Sequence, residues 1–172
     1  MRLGIVIFPG QDLQERANSY RKRYDPHYKL ISPHLTLKEA FDAESNQVGA
    51  IVEHLKTIAD QTSAFDLFIN KVSHFQPTNN VIYFAVQESS ELLDLYTNLQ
   101  SSELLQHEKP YAFVPHITIG QKMMDDELKD VYARLRTEKM EYTVPVQQFH
   151  LVEQQEDKKW SIYQSFALKQ NH

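Results

Sequence analysis

The sequence predicts an α+β fold built on largely antiparallel or mixed sheets, and three observations lead there. Helical and strand periodicities alternate along the 172 residues. Hairpin pairs interrupt that alternation in the middle and at the end of the chain, which argues against an all-parallel sheet. No linker, low-complexity stretch or dense Pro/Gly segment divides the sequence, so residues 1–172 are expected to form one domain.

The elements follow in order. Leu3 to Phe8 reads as a buried strand, and Asp12 to Tyr24 as a helix that stops before Asp25-Pro26, because a proline disfavours helix in the residue before it. Pro33 to Lys38 is a second strand. Val48, Ile51, Val52, Leu55, Ile58 and Ala59 recur at helical spacing and mark a helix with one core face. Phe65 to Phe75 and Val81 to Gln87 read as strands around a turn at Gln76-Pro77-Thr78-Asn79-Asn80. Ser90 to Leu105 is a leucine-rich helix, His116 to Gly120 a strand, and Leu128, Val131, Tyr132 and Leu135 mark a last helix. Two long strands, Tyr142 to Glu153 and Lys159 to Leu168, are expected to close the chain around a turn at Gln154 to Lys158.

Composition narrows the function. The chain has no cysteine, which removes disulfides, thiolate metal sites and a cysteine nucleophile and fits a cytoplasmic protein. No apolar run reaches the roughly 18 residues of a membrane span, so no membrane partner is expected. The net charge of −5 argues against a duplex DNA surface. The charge is uneven, however: residues 1–38 carry a net +4 and the remainder −9. Arg16, Arg21, Lys22, Arg23, Lys29 and Lys38 make up a basic stretch that either faces water along a helix or attracts a small anion.

One five-residue word occurs twice: Pro33-His34-Leu35-Thr36-Leu37 and Pro115-His116-Ile117-Thr118-Ile119. A lone His-x-Thr is uninformative, since about 0.4 such triplets arise by chance in a chain of this composition. Two full words are expected by chance in only about one of 10⁵–10⁶ such chains. Successive strand residues point to opposite faces, so His34 and Thr36 share one face while Leu35 and Leu37 anchor the other. His116 and Thr118 likewise share a face, with Ile117 and Ile119 behind them. Each leading proline suits a first strand position, where no ladder donor is needed. Two such units facing one another offer two imidazoles and two hydroxyls to one ligand. Phosphodiester transfer needs that set: a base for the attacking oxygen, an acid for the leaving oxygen, and donors to the non-bridging oxygens. No cofactor is called for, and no H-x-x-E-H or H-E-x-x-H metal word is present. The remaining histidines, His27, His54, His74, His107, His150 and His172, lack this context and are expected at the surface or its boundary.

The paired words, 82 positions apart, resemble the signature of the 2H phosphoesterase superfamily, which includes 2′-5′ RNA ligase-like proteins and cyclic nucleotide phosphodiesterases. Asn18 to Pro26, Pro77 to Tyr83 and Phe113 to His116 extend the resemblance along the chain. It implies a bilobed 2H phosphoesterase-like fold with pseudo-two-fold symmetry: two largely antiparallel sheets with outer helices around a central cleft. It also implies His34 as proton donor and His116 as proton acceptor, with Thr36 and Thr118 on the phosphate. Arg21, Arg23 and Lys38 are candidates to neutralise phosphate, and Tyr24, Phe75, Tyr83 and Tyr111 to stack on a base. The expected activity is metal-independent cleavage of a 2′,3′-cyclic phosphate, a cyclic nucleotide phosphate or a 2′-5′ phosphodiester, on a small nucleotide or an RNA end. The alternative is a non-catalytic module that binds an RNA end or nucleotide in the same cleft. The substrate, the direction of reaction and the oligomeric state stay open at this stage.

Overall fold

In the computed structural model, residues 1–101, 103–105 and 112–170 are described. The chain runs β1 (Arg2–Ile7), α1 (Gln11–Tyr24), β2 (Leu35–Asp42), a single 3-10 turn at Ser45–Gln47, α2 (Val48–Asp60), β3 (Phe65–His74), β4 (Ile82–Val86), α3 (Ser90–Gln100), β5 (His116–Gly120), α4 (Asp125–Leu135), β6 (Tyr142–Val146), β7 (Gln148–Gln154) and β8 (Trp160–Ala167). All named strands pair antiparallel, in the order β6-β3-β4-β5-β2-β1-β7-β8.

Two four-stranded halves are visible in that order, β6-β3-β4-β5 and β2-β1-β7-β8, and each contains a strand–helix–strand unit of the same kind. In one, α1 joins β1 to β2; in the other, α3 joins β4 to β5. The halves are not separate sheets as expected. The paired position Leu35↔Ile117 joins β2 to β5 and makes one eight-stranded sheet.

The expected single strand from Tyr142 to Glu153 is divided at Gln147. Its first part pairs with β3 at one edge of the sheet, and its second part pairs with β1 in the other half. With only one residue between them, the two parts bring the edge strand β6 next to β7, and the sheet must curl into a half-barrel. The Gln147 carbonyl, freed from either ladder, accepts from the Leu168 amide at 2.9 Å. The leucine-rich helix also ends earlier than its composition suggests, at Gln100. The Ser101 hydroxyl bonds the Asn98 carbonyl at 3.2 Å, a local bond that competes with continuing the helix.

The core lies between the sheet and the helices. Leu35, Leu37, Ile117 and Ile119 are at most 1% exposed within it, together with Leu13 and Ala17 of α1 and Leu92, Leu95 and Leu99 of α3. Close packing of α1 on β5 depends on Gly120. A Cβ there would lie 3.0 Å from Tyr24 Cβ and 3.3 Å from Met123 Sδ. Among the described residues no helix is long and apolar enough to cross a membrane.

Candidate active site

The motif strands meet at the joint between the halves. Because Leu35 lies opposite Ile117 in an antiparallel pair, the same register sets His34 against Thr118 and Thr36 against His116. The aliphatic members of both words point into the core, and all four polar members line one cleft of about 290 Å³. An adjoining hollow of about 660 Å³ shares Thr36, Lys38, Glu39, His116, Thr118 and Gln121 with it. The smaller space is walled by Arg21, Asp25, His27, Ile31 and Trp160, and the larger one by Phe75, Tyr96 and Phe113. The cleft therefore has a polar end and an aromatic end, with the histidines between. The rings of Tyr96 and Phe113 stack with centroids 3.7 Å apart.

Each motif histidine is oriented by the same local contact. His34 Nδ1 lies 2.8 Å from the Ser32 carbonyl, and His116 Nδ1 lies 2.8 Å from the Val114 carbonyl. A carbonyl only accepts, so Nδ1 carries hydrogen in both rings and donates. In the neutral ring Nε2 is then a bare acceptor; in the charged ring it is a donor. Phe75 and Tyr83 pack edge-on against His116, at 5.0 and 5.2 Å between centroids.

Both rings are half-buried, and desolvation disfavours their charged forms. Burial pushes His34 down to about 4, aided by the nearby Arg21 and His116 charges and opposed by the Ser32 carbonyl and Asp25. Burial lowers His116 as well, against the opposing pull of the Val114 carbonyl and Glu39. Near neutral pH the free cleft thus holds two uncharged imidazoles, each presenting a basic Nε2.

The other candidates separate. Lys38 is buried in the cleft wall, and its Nζ donates to Gln100 Oε1 at 3.2 Å. Gln100 in turn donates to the Leu37 carbonyl at 2.7 Å, which ties α3 to the motif strand. Arg21 reaches the cleft but is 1% exposed and spends its donors inside the fold. It bonds Asp25 Oδ2 at 3.2 Å, Asn18 Oδ1 at 2.8 Å, and the His27 and Ile31 carbonyls at 3.4 and 2.6 Å. Arg23 is exposed and lies outside both cavity walls. Tyr83 is buried behind His116, and Phe75 lines the aromatic end. Tyr24 lies outside both walls, with its hydroxyl bonded to Arg134 at 3.1 Å. Tyr111, His107 and His172 fall outside the described residues.

Of the histidines expected at the surface or its boundary, His150 is buried instead, and His27, half-buried, lines the cleft. His150 is 5% exposed and bonds Ser165 Oγ at 2.8 Å, since β7 lies inside the sheet between β1 and β8. His27 lines the polar end of the cleft, because Asp25 Oδ1 accepts its amide at 2.8 Å and turns the loop after α1 back toward the sheet. Gln121, Glu39 and Trp160 also line the cleft without having been marked by any motif, and Asp25, marked only as part of the Asn18 to Pro26 stretch, lines it too. Among the described residues, no group of three or more His, Cys, Asp or Glu side chains is arranged to hold a metal ion.

Similarity to known proteins follows the same lines. A protein of Bacillus cereus strain B4264, named provisionally as a phosphoesterase, is 48% identical over 168 residues, covering 98% of this chain and 97% of its own. A relative from Bacillus thuringiensis strain Al Hakam, named in the same way, matches to the same extent. The structure of E. coli LigT complexed with 3′-AMP superposes with a TM-score of 0.77 at 17% identity, covering 98% of both chains. A structure from Thermus thermophilus does so with a TM-score of 0.72 at 17% identity, over 100% of both. The fold is shared with both solved structures. Residues 9–158 match the 2′-5′ RNA ligase superfamily, and the chain belongs to that family.

Proposed function

We propose that the protein is a metal-independent phosphoesterase that cleaves a 2′,3′-cyclic phosphate, a cyclic nucleotide phosphate or a 2′-5′ phosphodiester of a small nucleotide or RNA end, in the cytoplasm. One observation carries the reading: two histidines with Nδ1 anchored on backbone carbonyls and two threonines converge, from two strands, on one cleft. Phosphoesterase names among relatives that match nearly the whole chain support the reaction class. LigT neighbours in complex with 3′-AMP, NADP+ and ATP support a nucleotide-sized ligand.

In the proposed reaction His116 Nε2 takes the proton from the attacking water as its oxygen bonds phosphorus. His34, as imidazolium, gives a proton from Nε2 to the leaving ribose oxygen as the P–O bond breaks. The Thr36 and Thr118 hydroxyls donate to the non-bridging oxygens, where negative charge grows in the transition state. Lys38, in the wall beside Thr36, adds a positive charge. His34 is neutral in the free cleft near neutral pH, so its donor role requires that it take up a proton along with the anionic substrate.

The test is a panel of 2′,3′-cyclic nucleotides, ADP-ribose cyclic phosphate and 2′-5′-linked oligonucleotides, run with wild type and both His→Ala variants in excess chelator. Turnover that survives chelator and is lost in both variants is expected. Turnover lost on chelation would replace the mechanism with a metal-assisted one. Binding without turnover of any member would replace the enzyme with a binding module.

A further inference from the structure

Gln121 sits between Asp25 and His27 at the polar end of the cleft. Its Nε2 lies 2.8 Å from Asp25 Oδ1 and 3.1 Å from His27 Nδ1. The contact with Asp25 fixes which end of the amide faces this way, since a carboxylate oxygen only accepts and an amide oxygen there would be repelled. Each Nε2 hydrogen then has a taker, and His27 Nδ1 is an acceptor. A neutral His27 must carry its hydrogen on Nε2, the opposite tautomer from His34 and His116.

The rest of the network holds this arrangement rigid. Asp25 Oδ1 also accepts the His27 amide at 2.8 Å, and Asp25 Oδ2 pairs with Arg21 at 3.2 Å. Arg21 reaches the His27 carbonyl at 3.4 Å. The negative charge of Asp25 is thus matched inside the protein and does not face a ligand alone. His27 Nε2 has no protein partner among the described residues, and His27 lines the same cavity as His34 and Thr118.

We propose that His27 is a positioning residue: a fixed Nε2–H donor, set by the Gln121–Asp25 relay, that binds an oxygen acceptor of the substrate at the polar end of the cleft. The acceptor is a phosphate oxygen or a ribose hydroxyl oxygen. This rests on the phosphoesterase reading for its ligand, but not for the tautomer. His27 moves no proton in the reaction. It fixes where the substrate lies between the two motif histidines, so its loss should fall on KM more than on kcat.

Long-range proton–nitrogen NMR on labelled wild-type protein reads the tautomer of each ring directly. Titration of wild type, His27→Ala and His27→Gln with inorganic phosphate and with 3′-AMP reads the donor. The expected result is hydrogen on Nε2 of His27 and on Nδ1 of His34 and His116. 3′-AMP should bind roughly tenfold more weakly to His27→Ala, the loss of one hydrogen bond to an anionic ligand. His27→Gln, which returns an N–H donor, should recover most of that loss. Weakening of inorganic phosphate as well would assign the acceptor to phosphate, and weakening of 3′-AMP alone would assign it to ribose. Hydrogen on Nδ1 of His27, or equal affinity of wild type and His27→Ala for both probes, would overturn the proposal while leaving the phosphoesterase reading intact. A wild type that binds neither probe would overturn that reading, and the ligand assigned to His27 with it.

Discussion

Binding of an anion in the cleft should draw a proton from solution, and the amount follows from the burial of His34. With its titration pushed down to about 4, His34 is charged in only about 1% of free molecules at pH 6. For the ring to serve as acid in half of the complexes at that pH, its titration must rise by about 2 units, or about 2.7 kcal/mol. A single negative charge about 4 Å away supplies roughly 4 kcal/mol at an effective dielectric of about 20, so a bound phosphate is sufficient. His116, lowered by the same burial, adds to the uptake. His34 alone should absorb between about 0.5 and 0.9 proton per anion at pH 6, with the share of His116 on top, falling off as pH rises past the liganded values. Calorimetry with sulfate, which has no titration of its own in this range, in two buffers of different ionisation enthalpy measures the number directly. His34→Ala should reduce it to the share of His116. Tight sulfate binding with the same heat in both buffers would show that neither imidazole changes its charge, and the acid role of His34 would have no physical basis.

His34→Ala and His116→Ala should each lower kcat/KM by about 10²–10⁴-fold in a steady-state assay, and the double variant by far less than the product. Because burial lowers both free rings, the wild-type kcat/KM profile should be bell-shaped with its optimum below the ordinary imidazole value of about 6.5. Arg21→Ala should cost about 3–5 kcal/mol in chemical denaturation, since it strands the buried Asp25 carboxylate; loss of phosphate binding without loss of stability would make Arg21 a ligand residue instead. Acid should also destabilise the fold. The folded pKa of His34 lies below its unfolded value of about 6.5, so the unfolded state binds the proton first; the stability is complete above about 6.5 and is lost as pH falls toward about 4, by up to about 3 kcal/mol for this ring. An equally steep acid limb in His34→Asn would refute that assignment.

What could be read in the sequence, and what could not, divides by the range of the interactions. Strand β5 is bounded as its pattern predicts, and α1 ends at Asp25-Pro26, because alternation and proline act over a few residues. The break of the last long strand at Gln147 has no local signal of its own. It arises because residues 142–146 and 148–154 pair with partners in different halves of the sheet, and Val144, Val146, Phe149 and Leu151 are buried on either side of it. The joining of the two halves through Leu35 and Ile117 is equally invisible, since it is one pairing between residues 82 apart.

The three histidines of the cleft make the same point about the site. His34 and His116 are each oriented by a carbonyl two residues earlier, one position before the word that contains the ring, so what aims each ring lies next to its word in the chain. A duplicated five-residue word therefore singles out two residues that line one cavity. His27 is oriented by Gln121, 94 residues away, and its tautomer depends on Asp25 bonding the same amide from 96 residues away. No short pattern around His27 can encode that; Asp25-Pro26 reads as a helix stop at the end of the Asn18 to Pro26 stretch, and nothing there singles out His27. The difference carries over to variation. Because its partner is a backbone carbonyl, exchanging Ser32 for another residue should leave the His34 ring aimed as before. Changing Gln121 alone removes the hydrogen that fixes His27, and lets that ring present a bare nitrogen where the substrate now meets a donor.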